Sequence, residues 1–496
     1  MLNPVDLSGR PVHFIGMGGI GMSALAYVLA KQNLPVSGSD LRSTNITQHL
    51  ESLGVRFFSQ QVASNLGDWI APESNGHLVA VKHRELPQVI CSTAIHADNL
   101  EYRAAVELGC PIFHRSDVLA ALIQQYQSIA VAGTHGKTTT SSLIGYLLLK
   151  AGLDPTIIIG GEVAAWQGNA RVGNSPYLVA EADESDGSLV KLASQIGVVT
   201  NIELDHPDHY STLDEVVSIF ETFTNQCQQV VASWDCPTIR DRLFPAINHP
   251  KLVSYSLDVR VQATYTVDQI TYSATGTTAR VWERGEVLGQ IHLSLLGEHN
   301  LSNALAAIAV GRLLQLDFAT IAEAMTTFTG ANRRFEVRGE ANGIRFVDDY
   351  AHHPSEIKAT LAAARLQVQA GSDRKRLVAV FQPHRYSRTK TFLSEFSQGF
   401  SDADLVVLTD IYSAGEPDRG LIKAQNLVDS TREHHDQVVY QPSLLQVTDY
   451  LKQSLRPGDL VMFLGAGNLN QTIPDLLAHY QKLEAAQMPE VVARLC

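Results

Sequence analysis

The chain has 496 residues, of which 45% are hydrophobic and 18% are charged, as in a folded globular protein rather than a disordered one. At roughly 150 residues per domain, this length predicts about three domains. Lysine and arginine number 38 against 51 aspartates and glutamates, giving a formal net charge of -13. This charge argues against a duplex nucleic-acid binder, which needs a broad basic surface.

Short apolar strands, glycine turns and helices alternate along the chain. A strand at 12–15 leads through a turn at 16–21 into a helix at 22–32, and a second strand follows at 35–39. Further strands of this kind are predicted at 88–92, 129–132, 177–180, 196–200, 229–233, 377–381, 404–408 and 460–464. Strands that alternate with helices predict parallel sheets covered on both faces.

One stretch of the chain has a different pattern. Residues 263–267, 277–282 and 287–293 alternate Thr, Val and Tyr with polar residues, which predicts antiparallel strands. A third α/β block begins after Arg333 and Arg334. We therefore predict an α/β fold of three domains. They are a Rossmann-like N-terminal domain at 1–113, a central parallel-sheet domain with a small antiparallel part at 114–331, and a Rossmann-like C-terminal domain at 332–496.

The cysteines and the apolar segments indicate the cellular compartment in which the protein works. Five cysteines are widely spaced and form no C-x-x-C pair, which predicts reduced thiols in a cytoplasmic protein. The opening residues, MLNPVDLSGRPVHFIG, lack the basic and apolar stretches of a signal peptide. No apolar run approaches the ~18 residues that span a bilayer. We therefore expect neither a membrane nor a nucleic-acid partner.

The first glycine turn fits G-x-G-x-x-G with Gly16, Gly18 and Gly21, and Gly19 adds a further glycine. Asp40 ends the next strand, where an acid commonly meets a ribose hydroxyl. Glycines let the backbone lie against a diphosphate at the positive end of a helix. The motif predicts a diphosphate ligand, and it also fits an NAD site or a tight turn that needs a positive φ.

The second glycine turn, GTHGKTTT, follows the strand at 129–132 and opens a helix. This arrangement predicts a phosphate loop in which Lys137 meets the transferring phosphate and the Thr138 hydroxyl reaches Mg²⁺. Val131 stands where the first glycine of the usual loop belongs, so the turn is tighter. The central domain is therefore predicted to be a P-loop parallel-sheet ATPase domain. Its candidate ATP-binding residues are Gly133, Thr134, His135, Gly136, Lys137, Thr138 and Thr139.

Acidic and histidine residues follow the next strands of the same block. Glu181 begins EADESD, and His206 lies in DHPDH. Carboxylates and imidazole at strand ends suit Mg²⁺ held between protein and phosphates. Zinc is the alternative for the histidine-rich part, and a solvated loop charge is the alternative for each acid alone. The pattern favours Thr138, Glu181 and His206 as metal ligands.

Two strands of the third block also end in polar segments. DDYAHHP contains Asp348, Asp349, Tyr350 and His352, and PHRYSR contains Arg385 and Arg388. Arginines at strand ends bind carboxylates and phosphates bidentately, so this pair predicts an anion pocket. Residue chemistry alone leaves a kinase, an ATP-driven ligase and a regulatory ATPase open.

Seven segments occur in one order along the chain: GTHGKTTT, EADESD, NIELDHPDHY, LGEHNLSNALAA, RRFE, DDYAHHPSE and PHRYSRT. Together they resemble the Mur ligase family, and the last two are most similar to the member that adds L-alanine to UDP-N-acetylmuramate in peptidoglycan precursor synthesis. The resemblance implies an ATP-dependent, amide-forming ligase. The muramyl carboxylate would attack the γ-phosphate of ATP to give an acyl phosphate, and the amine of L-alanine would then displace phosphate.

The resemblance also implies ligands and partners. The cofactors would be ATP and Mg²⁺, with Mn²⁺ as a substitute metal, and the small-molecule substrates would be UDP-N-acetylmuramate, L-alanine and ATP. The chain would be a monomer or a weak homodimer. The UDP-sugar site would comprise Gly16, Gly18, Gly19, Gly21, Asp40, Ser92 and Thr93.

Further roles follow residue by residue from the resemblance. His299, Asn300 and Asn303 would lie against adenine. Arg334 would reach the ATP phosphates from a C-terminal domain that closes over ATP, and Asp348 or Asp349 would reach the ribose. The amino acid would be bound by Tyr350, His352, Arg385 and Arg388. The catalytic set would be Lys137, Glu181, His206, His352, Arg385 and Arg388, with His352 as a candidate general base.

One feature departs from the wider family. Several sister ligases carry a carbamylated lysine as an additional magnesium ligand, whereas residues 192–250 contain no lysine. This fits the alanine-adding member, and Asp208 or Glu221 are candidates to replace that ligand. Three alternatives stay open: a recycling ligase that adds a tripeptide to the same sugar nucleotide, an NAD-dependent oxidoreductase, and a non-catalytic, ATP-gated regulatory protein.

Overall fold

The structure is a computed structural model that describes residues 4–72, 78–80, 85–247, 249–370 and 376–487. The chain forms two compact units. The first unit comprises Met1–Ile202, Val216–Ser254 and Ala309–Leu316, and the second comprises Glu203–Glu215, Tyr255–Ile308 and Asp317–Cys496. The predicted α/β class is confirmed, because helices alternate with three large sheets. The predicted boundaries near residues 113 and 331 stay predictions.

The N-terminal part of the first unit is a parallel sheet with helices between its strands. Its order is β3-β2-β1-β6-β7, and β4 and β5 form a separate antiparallel pair. The elements are β1 (Val12–Ile15), α1 (Ile20–Lys31), β2 (Val36–Ser39), α2 (Asn45–Ser52), β3 (Arg56–Phe58), β4 (Ile70–Pro72), β5 (Leu78–Ala80), β6 (Gln88–Cys91), α3 (Leu100–Glu107), β7 (Ile112–His114) and α4 (Arg115–Gln125).

The second sheet of this unit has β8 near its middle, in the order β10-β9-β11-β8-β12-β13. The neighbouring strands from β9 to β13 are parallel, and β10 runs antiparallel to β9. The elements are β8 (Gln127–Ala132), α5 (Lys137–Lys150), β9 (Thr156–Val163), β10 (Gly168–Arg171), β11 (Tyr177–Glu181), β12 (Ile196–Val199), α6 (Leu213–Gln226) and β13 (Gln229–Ser233). The central strands are almost entirely apolar because both faces of the sheet are covered.

The predicted antiparallel strands form a three-stranded part of the second unit, β15-β16-β17. Arg284 and Gly285 both have a positive φ, as a two-residue hairpin turn between β16 and β17 requires. The elements are β14 (Leu252–Ser256), β15 (Tyr265–Ser273), β16 (Gly276–Glu283), β17 (Glu286–Leu293), α7 (Glu298–Leu313) and α8 (Phe318–Thr327).

A third sheet fills the rest of the second unit, in the order β18-β19-β23-β20-β21-β22, with only β18 antiparallel to its neighbour. The elements are β18 (Glu336–Ala341), β19 (Ile344–Asp349), α9 (Pro354–Ala370), β20 (Arg376–Phe381), α10 (Tyr386–Thr391), α11 (Leu393–Ser397), β21 (Leu405–Leu408), α12 (Ala424–Arg432), β22 (Val438–Tyr440), α13 (Leu444–Ser454), β23 (Asp459–Leu464) and α14 (Ile473–Gln487). Asp349, Leu464 and Phe381 are in register at one edge. The polar segments at the ends of β19 and β20 therefore leave the sheet at the same end of the strands, on either side of β23.

The structure differs from the sequence-based elements in one helix start and in several strands. Gly19 is the N-cap of α1, so the helix begins at Ile20, two residues earlier than expected. Sequence analysis missed β9, which contains two glycines, and β18, a charged edge strand. It also missed the short strands β3, β4, β5, β7, β10, β14 and β22. Among the described residues, no helix is both long and apolar enough to cross a membrane. The four described cysteines have free thiols, and Cys496 lies outside the described residues.

Candidate functional site

The predicted phosphate loop connects β8 directly to α5. Gly133 has a φ of 140° and Gly136 a φ of 80°, conformations that favour glycine. A Cβ on Gly133 would overlap the Thr200 hydroxyl. Thr200 Oγ1 donates to the His135 carbonyl at 2.6 Å, and Asn201 Oδ1 accepts from His135 N at 2.8 Å. Thr200 and Asn201, which follow β12, therefore hold the loop backbone in place through His135.

Lys137 lies inside this loop. Its Nζ donates to the Gly133 carbonyl at 2.7 Å and forms an ion pair with Glu184 at 2.8 Å. Burial alone would lower the pKa of Lys137, but Glu184 and Asp183 outweigh burial and raise it. Burial raises the pKa of Glu184 to about 7 against the opposing effect of Lys137. The lysine is thus a cation held inside the turn between β8 and α5.

Glu181 and Thr138 meet at the end of β11. Thr138 Oγ1 donates to Glu181 Oε2 at 2.9 Å, and Gly160 N donates to the same oxygen at 2.8 Å. A Cβ on Gly160 would lie 2.7 Å from Glu181 Oε1. The structure therefore brings together two of the three predicted metal ligands. His206 belongs to the second unit, and its part in the set stays a prediction.

The first glycine turn is held by Asp40. Gly16 has a φ of 83°, and Gly18 N donates to Asp40 Oδ2 at 2.8 Å. A Cβ on Gly18 would lie 2.8 Å from that oxygen, so glycine is needed for this contact. Ser92 and Thr93 follow β6, which pairs with β1 in the sheet. All the residues predicted to bind the sugar nucleotide therefore lie in segments that follow or flank the strands of one sheet.

Arg115, the first residue of α4, pairs with the acidic segment after β11, and the sequence analysis did not name it as a candidate site residue. Its Nη2 pairs with Asp183 at 2.7 Å and with Asp186 at 3.2 Å. Its Nη1 would lie 3.4 Å from a Cβ on Gly21. Although burial opposes it, Arg115 and then Lys137 lower the pKa of Asp183 below its usual range. The sequence offered no signal for this arginine, because the strand β7 that precedes it was not predicted.

The histidine-rich segment of the second unit is paired with PHRYSRT. Arg388 Nε donates to Asp205 Oδ1 at 2.9 Å, and Arg388 Nη1 lies 3.2 Å from His384 Nδ1. Burial opposes ionisation of Asp205, but Arg388 and then His206 hold its pKa below the usual range. Arg385 forms an ion pair with Asp208 through Nη1 and Oδ2.

His352 belongs to the DDYAHHP segment and lies two residues before the start of α9. Its Nδ1 lies 2.9 Å from the Tyr350 carbonyl, which can only accept, so the proton sits on Nδ1 and Nε2 keeps a lone pair. Glu356 Oε2 accepts from His352 N at 3.0 Å. Burial lowers the pKa of His352 to about 4. Arg333 and Arg334 lie over the Tyr350 ring, 5.0 and 5.2 Å from its centroid.

Asp348 and Asp349, the last two residues of β19, are both bonded to neighbouring protein groups. Asp349 accepts from Phe335 N at 2.7 Å and from Ala351 N at 2.8 Å, and burial raises its pKa to about 6. Asp348 pairs with Arg333 at 3.2 Å. Through these contacts, both carboxylates stabilise the loops that contain Arg333 and Tyr350. A ribose contact by either one stays a prediction.

The predicted adenine-binding residues cluster at the start of α7. Asn300 Nδ2 donates to the Leu296 carbonyl at 2.8 Å, and Asn303 Nδ2 donates to Asn300 Oδ1 at 3.3 Å. Burial lowers the pKa of His299 to about 4, so this imidazole is neutral at pH 7. The three side chains share the first turns of one helix, and their contact with adenine stays a prediction.

Three family models match the chain in succession. They are the Mur ligase family catalytic domain at residues 11–127, the Mur ligase middle domain at 131–311, and the Mur ligase glutamate ligase domain at 333–467. The chain is 67% identical over 496 residues to the UDP-N-acetylmuramate–L-alanine ligase of Cyanothece sp., covering 99% of this chain and 100% of the relative. It is 61% identical over 489 residues to the protein of that name from Thermosynechococcus vestitus, covering 99% and 100%.

Solved structures share the fold. The UDP-N-acetylmuramate-alanine ligase of Thermotoga maritima matches with a TM-score of 0.77 and 27% identity, over 96% of this chain and 99% of that chain. A murein peptide ligase from Psychrobacter arcticus matches with a TM-score of 0.68 and 22% identity, over 95% and 99%. The second similarity concerns the fold alone.

Proposed function

The chain belongs to the Mur ligase family, and on that basis we propose that it joins L-alanine to the carboxylate of UDP-N-acetylmuramate using ATP, in peptidoglycan precursor synthesis. The observation that carries this proposal is the 67% identity, over almost the whole chain, to a relative with that name. The phosphate loop around Lys137 supports it, because an oxidoreductase would have no use for a buried lysine in such a loop.

The proposed reaction activates a poor electrophile. A muramyl carboxylate oxygen attacks the γ-phosphorus of ATP, the bond to the bridging oxygen breaks, and ADP leaves. The amine of L-alanine then attacks the carbonyl carbon of the acyl phosphate, and phosphate leaves from the tetrahedral intermediate as the nitrogen loses a proton. Lys137 stabilises the charge of the transferring phosphoryl group, and the amides from Gly133 to Thr139 hold the ATP phosphates.

We propose Mg²⁺ as the metal of this site. The Thr138 hydroxyl and the Glu181 carboxylate are oxygen donors already in contact, which is the donor class that Mg²⁺ prefers. His206 is the third proposed ligand, and Mn²⁺ accepts the same donors. When bound, the ion neutralises negative charge on the phosphates.

The residues of the second unit act on ATP and the amino acid in this proposal. His299, Asn300 and Asn303 bind adenine, Arg334 binds the phosphates, and Asp348 or Asp349 binds the ribose. Arg385 binds the carboxylate of L-alanine, with Tyr350 and Arg388 bordering it. His352 Nε2 takes the proton of the amine, because the Tyr350 carbonyl leaves that nitrogen unprotonated.

The first glycine turn binds the UDP portion of the sugar nucleotide. The residues proposed for it are Gly16, Gly18, Gly19, Gly21, Asp40, Ser92 and Thr93. We further propose that the protein is cytoplasmic, since the four described thiols are free and both nucleotide substrates are soluble. We propose a monomer or a weak homodimer as its oligomeric state.

The deciding experiment is the amino-acid dependence of phosphate release. The protein is incubated with UDP-N-acetylmuramate, ATP and Mg²⁺, together with L-alanine or with a tripeptide. We expect release with L-alanine; release with the tripeptide alone would instead identify a recycling ligase. Tight NADH binding that UDP-sugars do not compete with would favour an oxidoreductase.

A variant completes this test. His206→Ala is expected to lose phosphate release while calorimetry still detects binding of UDP-N-acetylmuramate. Unchanged phosphate release in this variant would remove His206 from the catalytic set. If the wild type itself releases no phosphate with either acceptor, a regulatory role for ATP becomes the better hypothesis.

A further inference from the structure

Two short segments of the second unit are paired residue by residue. PHRYSRT carries arginines at positions 385 and 388, and DHPDH carries aspartates at positions 205 and 208. Arg388 pairs with Asp205, and Arg385 pairs with Asp208. The equal spacing of three residues in each segment lets both pairs form together.

The two ion pairs differ in burial. Arg388 and Asp205 have side chains that are 2% and 4% exposed, and two hydrogen bonds join them. Arg388 also approaches His384, so its guanidinium is enclosed by protein partners. Such a pair is costly to separate, because each charge would be left buried without its counter-ion.

The pair of Arg385 with Asp208 is open to solvent. These side chains are 33% and 35% exposed, and a single Nη1–Oδ2 contact joins them. Arg385 also has a φ of 70°, which is rare for a residue with a side chain and is found mainly where the surroundings impose it. An exposed ion pair contributes little to stability, so its carboxylate can be exchanged readily.

We propose that Asp208 is an internal competitor for the substrate carboxylate: it occupies Arg385 until the carboxylate of the incoming amino acid replaces it. One carboxylate leaves the guanidinium as another arrives, and no covalent bond changes. The fraction of molecules in which Arg385 is paired with Asp208 lowers the apparent affinity for the amino acid. The inference rests on the proposed function, in which Arg385 binds L-alanine.

The test is Asp208→Asn, which keeps an acceptor oxygen but removes the charge that competes. With ATP, Mg²⁺ and UDP-N-acetylmuramate saturating, we expect the KM for L-alanine to fall about threefold, the ratio that an exposed ion pair supplies. Propionate, which has the carboxylate and no amine, is expected to inhibit the variant at about threefold lower concentration than the wild type.

Asp268→Asn is the matched control. Asp268 pairs with Arg280 in the same unit, with side chains that are 23% and 31% exposed, and neither residue has a proposed role in binding. We expect this variant to leave both the KM for L-alanine and the propionate inhibition unchanged. An equal fall in both variants would mean that any lost surface charge produces the effect, and it would overturn the proposal.

The remaining outcomes are distinct. An unchanged or raised KM for L-alanine in Asp208→Asn overturns the proposal, and a raised Mg²⁺ requirement in that case assigns Asp208 to the metal. If the wild type requires L-alanine for phosphate release, these outcomes leave the proposed function intact. If the wild type does not require it, the proposed function fails before the variant is examined.

Discussion

Arg388 and Asp205 form a buried, bidentate ion pair, with Nε–Oδ1 at 2.9 Å and Nη2–Oδ2 at 3.2 Å. The two residues are 183 positions apart in the chain. The pair ties the DHPDH segment, which carries His206, to the first turn of α10. Because the arginine is almost fully enclosed, its main effect within the second unit is to position the segment around His206.

Removing one charge of this pair is expected to destabilise the second unit. Asp205→Asn leaves the buried Arg388 guanidinium without its counter-ion, and a loss of about 3–5 kcal/mol in the free energy of unfolding follows. Denaturant unfolding of the full chain measures it. Asp268→Asn, which breaks an exposed ion pair, is expected to cost about 0–1 kcal/mol. A similar small loss in both variants would show that burial adds nothing to the Asp205 pair.

The sequence was sufficient for features that depend on neighbouring residues. Glycine turns between a strand and a helix located Lys137 and Gly18, because φ preferences and strand periodicity are local. Carboxylates at strand ends were predicted to lie near the phosphate loop, and Glu181 at the end of β11 accepts a hydrogen bond from Thr138.

Ion pairs between residues far apart in the chain could not be predicted from the sequence in this way. The contact of Arg115 with Asp183 and that of Arg388 with Asp205 depend on which strands are neighbours, which no short window of sequence contains. The sequence also did not reveal which polar side chains are buried. Asp349 looked like a ligand-binding acid after a strand, whereas its oxygens accept hydrogen bonds from the backbone of Phe335 and Ala351.

A second prediction concerns the packing behind Glu181. Gly160→Ala would place a Cβ 2.7 Å from Glu181 Oε1, and the carboxylate must then move away from Thr138. Displacing a group that orients a metal ligand lowers metal affinity by about 10–100-fold. We therefore expect a roughly tenfold higher Mg²⁺ concentration for half-maximal phosphate release, and weaker Mn²⁺ binding in a direct titration.

The control for this change is Gly67→Ala. A Cβ on Gly67 would meet no atom within 4 Å, so metal dependence and Mn²⁺ binding should equal those of the wild type. If Gly160→Ala also binds Mn²⁺ as tightly as the wild type, Glu181 does not hold the metal.

A third prediction concerns a buried polar network in the N-terminal sheet. His13 Nε2 lies 2.8 Å from Glu101 Oε1, and both side chains are fully buried. Asn65 Nδ2 donates to the same oxygen at 2.8 Å, and Ser39 Oγ donates to the other. A carboxylate accepts all these bonds at once, whereas an amide has only one acceptor oxygen.

Glu101→Gln is therefore expected to leave a buried donor unsatisfied and to lower the free energy of unfolding by about 1–3 kcal/mol. Thermal and denaturant unfolding measure the loss. Glu107→Gln, an exposed change on the same helix α3, should stay within about 0.5 kcal/mol of the wild type. Equal stabilities of the two variants would mean that the network does not require a carboxylate.

The last prediction is a pH dependence of stability caused by His352. Burial lowers its pKa from 6.5 to about 4, so between these values the unfolded chain takes up a proton that the folded protein does not. The free energy of unfolding must then fall as the pH decreases from about 6.5 to about 4, by about 3 kcal/mol for this group. Burial raises the pKa of Asp349 to about 6, and this acts in the opposite direction over part of the range.

A difference between two titration curves isolates the histidine. The free energy of unfolding of the wild type minus that of His352→Gln is expected to fall by about 3 kcal/mol from pH 7 to pH 4, because Gln does not titrate and the carboxyl contributions cancel. His434→Gln, which makes the same replacement at an exposed histidine, is the matched control. A flat difference curve for His352→Gln would show that the folded protein protonates this imidazole as readily as the unfolded chain, and the neutral His352 required for proton transfer would then lose its support.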